Sequence, residues 1–276
     1  MLDAVEATYR RLLRALRPAR IRYSVKANGN LALLRRLAAI EAGFDVVSGG
    51  ELLRVLRAGG HPNRMVFAGV GKTAAELAVA VRSGVVLHIE SADELAVLQA
   101  AAAGLGTRAR FGLRVNPDVE AGLHPYLRTG HHQTKFGLPV RTAVELYRRV
   151  AAGDYPDLDP VGVHVHVGSQ LAGPGDLAAG AAVALGVLEA GRRFGLPLGR
   201  VEVGGGLPVD YDAGPVPSAE AFAAALTPLV AGARAELEVE PGRALVARAG
   251  VLVATVLAVK PGPVAGRWWS TRACST

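Results

Sequence analysis

Eight short β-type runs that alternate with helical runs restrict the fold of this chain more than any other feature. The β-type runs are IRYSV (21–25), FDVVS (44–48), MVFAG (65–69), VVLHIE (85–90), RFGLRVN (110–116), VGVHVHVG (161–168), VEVGG (201–205) and ELEVE (236–240). Helical spacing of apolar residues occupies 30–42, 50–58, 73–82, 91–103, 140–152, 176–194 and 218–234, and an amphipathic segment at 2–17 supplies the eighth helix. The alternation predicts an α/β protein, and eight repeats predict a (β/α)8 TIM-type barrel whose functional residues gather where each strand ends. An open doubly wound sheet would carry fewer strands and a phosphate-binding glycine turn after the first. Past Glu240 the pattern changes. ARAGVLVATVLAVK (247–260) reads as a long strand, so residues 1–248 are expected to form the barrel and 249–276 the start of a β-rich second domain too short to fold alone.

Composition excludes several classes. Half of the 276 residues are apolar, as in globular proteins, yet no apolar stretch reaches the ~18 residues of a membrane span. The opening MLDAVEATYRRLLRAL mixes acids with bases and does not read as a secretory leader. A lone cysteine, Cys274, forms no internal disulfide, so a cytoplasmic location is the expectation. The net charge of +7 comes from arginines scattered along helices, and aromatics are only 5%, so no nucleic-acid partner is expected.

The strand ends carry the chemistry. Only four lysines occur among 31 basic side chains, and one of them, Lys26, closes the first run in YSVKANGN. The other ends supply Ser48, Gly69, Glu90, Arg114 with Asn116, His166 with Ser169, Gly204 to Gly206, and Glu240 with Pro241, Gly242 and Arg243. A lysine, an imidazole, a glycine turn and an acid beside an arginine are what pyridoxal 5'-phosphate requires. The amine forms a Schiff base, backbone N–H groups bind the phosphate, and a carboxylate on the pyridine nitrogen keeps that nitrogen protonated. Alternation along YSV predicts that Lys26 points inward, where an unpaired ammonium is costly. Two other readings are weaker. His164 and His166 share a strand face and suggest a metal, but only His88 lies near another strand end to help. AGVGKT looks like a nucleotide-binding loop, but its first glycine would have to stand at Val66.

These residues and their surroundings resemble the fold-type III pyridoxal-phosphate decarboxylases. YSVKANGN, GFDVVSGGEL, AGVGKTAAEL, HIESADEL, LRVNPDVEAGLHPYLRTGHHQTKFGLP, GVHVHVGSQL, VEVGGGLPVDY and EPGRALVARAG appear in family order across about residues 21 to 260. The resemblance implies that Lys26 is the Schiff-base lysine, that His166 stacks on the ring, that Ser169 and Gly204, Gly205 and Gly206 hold the phosphate, and that Glu240 meets the pyridine nitrogen. Arg243 would lie near the phosphate and a substrate carboxylate, where a bidentate guanidinium suits the task. The implied reaction is decarboxylation of meso-2,6-diaminopimelate to L-lysine, with ornithine or arginine as alternative substrates and a homodimer as the working form. A racemase of related fold is disfavoured, because it sets an arginine rather than an acid against the ring nitrogen.

The chain departs from the family pattern at both ends. The strand that precedes the first helix is missing, and the later β-domain, with its cysteine-containing proton-donor motif, is absent; Cys274 in RACST does not match that motif. STRAC (270–274) can be encoded so that a shifted frame, starting on the last base of the Trp269 codon, reads Val-Asp-Ala-Gly-Met, the text expected there. The sequence therefore predicts a frameshift near Trp268 and Trp269, a chain of little decarboxylase activity, and aggregation through the apolar run at 249–259. A non-catalytic barrel fragment is the corresponding alternative.

Overall fold

The computed structural model describes residues 2–119, 135–211, 214–251, 253, 255–260 and 267–270. Expectations that fall on 120–134, on 271–276 and on Cys274 lie outside the described residues. Eight strands form a closed parallel barrel: β1 Arg20–Ser24, β2 Gly43–Val46, β3 Met65–Phe67, β4 Val86–Ile89, β5 Ala109–Val115, β6 Leu158–Val165, β7 Arg200–Glu202 and β8 Glu236–Val239. The helices are α1 Leu2–Ala15, α2 Leu31–Ala39, α3 Gly49–Arg57, α4 Ala74–Ser83, α5 Ala92–Gly104, α6 Val140–Ala151, α7 Pro174–Arg193 and α8 Ala219–Gly232. The barrel expectation therefore holds, with element limits a few residues from those read in the sequence.

Side-chain caps start several of the helices. Ser48, Thr73, Ser91 and Ser218 accept hydrogen bonds from the backbone N–H three residues on, which ends the extended chain and satisfies a donor of the first turn. Apolar residues on one face of each strand, such as Ile21, Tyr23, Phe44, Leu87, Leu113 and Val163, join the core with helix residues such as Leu34, Leu52, Leu95 and Leu146. The other face is unusual. Arg22, Asp45, His88, Arg114, His164, Glu202 and Glu238 are all buried, and contacts among them cross between strands that are not neighbours, so this face lines the barrel interior. Gly112 and Gly162 allow close approach of the neighbouring strands here, since a Cβ would sit 2.9 Å from the Gly162 backbone oxygen and 2.3 Å from the Arg200 backbone oxygen.

The long strand expected over 247–260 does not form. A helical turn, α9 Arg243–Val246, and a 3-10 turn at Ala247–Ala249 come first, because alanine and arginine favour helix over strand. Among the described residues of this run, Val256–Lys260 forms a strand (β9), paired antiparallel with Arg267–Ser270 (β10). No helix of the described residues is long and apolar enough to cross a membrane.

Candidate active site

At the C-terminal end of the barrel, a cavity of about 250 Å³ is lined by Lys26, His166, Ser169, Gly205, Gly206 and Glu240, and by the turn Pro241, Gly242 and Arg243. Every expected site residue except Gly204 lines this cavity. Gly204 stands directly behind it, with φ +70°, and a Cβ there would lie 2.1 Å from His166 Nδ1. The next two glycines are needed for the same reason. A Cβ on Gly205 would fall 2.6 Å from the Glu240 backbone oxygen, and one on Gly206 would fall 2.5 Å from Leu171 Cδ1.

Lys26 is not the buried strand residue that alternation predicts. β1 ends at Ser24, and Lys26 belongs to the 3-10 turn Val25–Ala27, with its side chain 53% exposed and Nζ 3.8 Å from Asp45 Oδ2. The turn after β8 packs against this turn: Pro241 O accepts from Ser24 N at 3.4 Å, and a Cβ on Gly242 would touch Ala27 and Ser24 at 3.1 Å. That contact brings Lys26 and Arg243 to one wall of the cavity. Glu240 lies just past β8, 5% exposed, its N–H donating to Gly204 O at 2.7 Å. Its Oε1 has no hydrogen-bond partner among the described residues. Burial, and then the charge of Lys26, hold His166 well below the usual imidazole range, so it is a neutral ring.

Several strand-end residues serve structure instead. Ser48 caps α3, and Arg114 pairs with Glu90 at 2.6 Å, whose other oxygen accepts from Gly137 N. Lys72, from the nucleotide-loop lookalike, is a buried strut. Its amine donates to Gly69 O and His88 O and lies 2.7 Å from Glu94. The metal reading changes as well. His164 stacks on His88, with centroids 4.4 Å apart and planes 6° from parallel, rather than joining His166. His88, His164 and Glu240 do gather. Ring lone pairs lie in the ring planes, however, and those of two parallel stacked rings do not converge on one ion.

Sequence reasoning missed Asp45, which accepts from Ser24 Oγ at 2.6 Å and faces Lys26. Burial, and then Glu240, raise its carboxyl above the usual range. It also missed the roles of Arg22, Glu202 and Glu238. The available signal was the charge at every second position of RIRYS, VEV and ELEVE.

The family described as "Pyridoxal-dependent decarboxylase, pyridoxal binding domain" matches residues 2–247. The chain belongs to this family. It is 42% identical over 241 residues to diaminopimelate decarboxylase of Neisseria meningitidis serogroup A, covering 87% of this chain and 59% of that protein. It is 43% identical over 256 residues to the enzyme of the same name from Pseudomonas fluorescens, covering 91% and 61%. The structure superposes on diaminopimelate decarboxylase from Helicobacter pylori complexed with L-lysine with a TM-score of 0.89 and 34% identity, over 94% of this chain and 66% of that one. The chain thus spans about three fifths of the length of these curated relatives. The cavity suits the pyridoxal cofactor of the pyridoxal-dependent decarboxylases. A reachable amine stands on one wall, a crowded glycine run on another, and a buried carboxylate oxygen without a partner among the described residues on a third.

Proposed function

We propose that this chain supplies the cofactor-binding barrel of a decarboxylase that converts meso-2,6-diaminopimelate to L-lysine, as a homodimer in its complete form. The observation that carries the reading is the convergence of Lys26, Gly205–Gly206 and the unpartnered Glu240 oxygen on one cavity. The substrate rests on the names of relatives 42–43% identical to this chain. Pyridoxal phosphate, when bound, supplies a sink for the electron pair released as the bond from Cα to the carboxylate breaks.

The chain's own groups have separable tasks. Lys26 offers an amine that is half in solvent and beside Asp45, and it would be the group that holds the cofactor aldehyde. Glu240 would accept a hydrogen bond from the ring N–H, and an acid there favours decarboxylation over the racemase alternative. Ser169, Gly205 and Gly206 would donate to the phosphate. His166, a neutral ring, would stack on the cofactor ring, and Arg243 would pair with the phosphate or with a substrate carboxylate. The barrel would end near residue 248. The run after it, with Val251 and Val253 more than 80% exposed, suits cover by a β-domain.

Borohydride reduction of the protein loaded with pyridoxal phosphate should fix the label on the peptide containing Lys26, and Lys26→Ala should abolish the visible absorption band. Label on Lys72 would sink the reading, since that amine is buried with three oxygen partners. Diaminopimelate should perturb the band at lower concentration than ornithine or arginine. The reverse order would remove the substrate assignment.

A further inference from the structure

The barrel interior holds a connected row of ionisable side chains that runs from its N-terminal half to the cavity. Arg22 of β1 meets Glu238 of β8 at 2.6 Å and Glu202 of β7 at 3.8 Å. Glu202 Oε1 lies 3.0 Å from His88 Nε2 of β4, His88 stacks on His164 of β6, and His164 Nε2 lies 3.4 Å from Glu240 Oε2. All six side chains are buried. The stack matters for orientation. With His88 braced from across the barrel by Glu202, the plane of His164 is set, and its Nε2 edge faces Glu240.

We propose that His164 is a positioning residue for the Glu240 carboxylate. In the loaded site its Nε2–H would donate to Oε2, 3.4 Å away, and would thereby turn Oε1, which has no partner among the described residues, toward the ring N–H of the cofactor. The proposal rests on the reading of Glu240 as the ring-nitrogen partner. Burial, and then the neighbouring His88, keep His164 well below the ordinary imidazole range, so it carries a single N–H whose place is set by the acceptor it faces. In this structure neither ring nitrogen makes a hydrogen bond among the described residues, and Glu240 Oε2, 3.4 Å from Nε2, is the acceptor the ring faces. Catalytic hydrogen bonds are often unformed or poorly aligned until the site is loaded.

The test compares affinities of the 276-residue chain for two ligands: pyridoxal phosphate and its analogue in which carbon replaces the ring nitrogen. The ratio of the two affinities reports the ring-nitrogen contact alone. Glu240→Ala should collapse the ratio. His164→Leu should lower it by about tenfold while leaving affinity for the carbon analogue within about twofold, because only a hydrogen bond to a charged group is lost. His164→Gln carries its amide near the Nε2 position and should restore the ratio, whereas His164→Asn, with its amide near Nδ1, should not. These two polar variants decide the matter even if His164→Leu fails to fold. A parent-like ratio in His164→Leu, or equal ratios in the Gln and Asn variants, together with a collapsed ratio in Glu240→Ala, would overturn the positioning role and leave the ring contact standing. A parent-like ratio in Glu240→Ala would overturn the ring contact and the positioning role with it.

Discussion

His88 is pushed down to about 4 by burial, against the pull of Glu240 and Asp45, so it is neutral inside the barrel at physiological pH. The unfolded chain binds a proton on this ring below its ordinary value of 6.5, and the folded chain does so only near 4. Its contribution to stability is therefore complete above pH 6.5 and drains away as the pH falls toward 4. His164 and His166 shift in the same direction. Asp45 and Glu202 shift upward and act oppositely, gaining stability on acidification, so the His88 share must be read as a difference. His88→Asn should remove up to ~3 kcal/mol of the fall in stability across that window relative to the parent, measured by urea denaturation at stepped pH. Parallel pH profiles would show that the ring is not buried neutral. At this scale the sequence was a fair guide to which residues reach the cavity but not to their exposure. Lys26 proved half exposed because the strand stops two residues earlier than alternation implies.

The βα connections work as joints between neighbouring elements. Glu76 closes a capping box at the start of α4, accepting from Thr73 N at 2.9 Å, while its other oxygen accepts from Gly49 N at the start of α3 at 2.8 Å. One carboxylate thus satisfies orphan donors of two helices. Thr73→Ala should cost ~1 kcal/mol, the usual loss of a cap, and Glu76→Ala about twice that, because it strips both helix starts. Chemical denaturation of the two variants checks the order, and an equal cost would mean that the bond to Gly49 contributes nothing. The caps pair near neighbours in sequence, Thr73 with Glu76 and Ser48 with Glu51, whereas the bond from Gly49 to Glu76 joins residues 27 apart and arises only once the two helices pack. The tail differs from its reading in the sequence: ARAG at its start mixes good helix formers with apolar residues, and a 3-10 turn at Ala247–Ala249 stands where the strand was expected to begin.

Closure of the barrel depends on a seam between the first and last strands. β1 and β8 pair only at Arg20 with Glu238 and Ile21 with Val239, and Arg22 adds two bonds to Glu238, Nε to Oε2 at 2.6 Å and Nη2 to Oε1 at 2.8 Å. Arg22 is also the cation nearest Glu202. Burial, and then repulsion from Glu238, raise Glu202 well above the carboxylate range, while Arg22 holds Glu238 below it despite the cost of burial. Arg22→Met should cost ~3–5 kcal/mol, because it leaves the Glu238 carboxylate buried without its cation. Arg22→Met combined with Glu238→Leu should recover part of that loss. A loss below ~1 kcal/mol in the single variant would show that the seam does not depend on this pair.

The sequence by itself determined the barrel and most of the cavity lining. Eight strand and helix alternations have few compact solutions, and the residues after each strand are delivered to one end of the barrel whatever the side-chain packing. Tertiary structure alone decided what the charged alternate positions do. The pattern R-I-R-Y-S or E-L-E-V-E shows two faces of a strand, and in an open sheet the charged face would meet water. Here closure turns that face inward, and helices cover the apolar one. The pairing of His88 with His164, and of Glu202 with His88, then follows from distances across the barrel between strands far apart in the chain. No local periodicity encodes such contacts, because they arise only when the last strand meets the first.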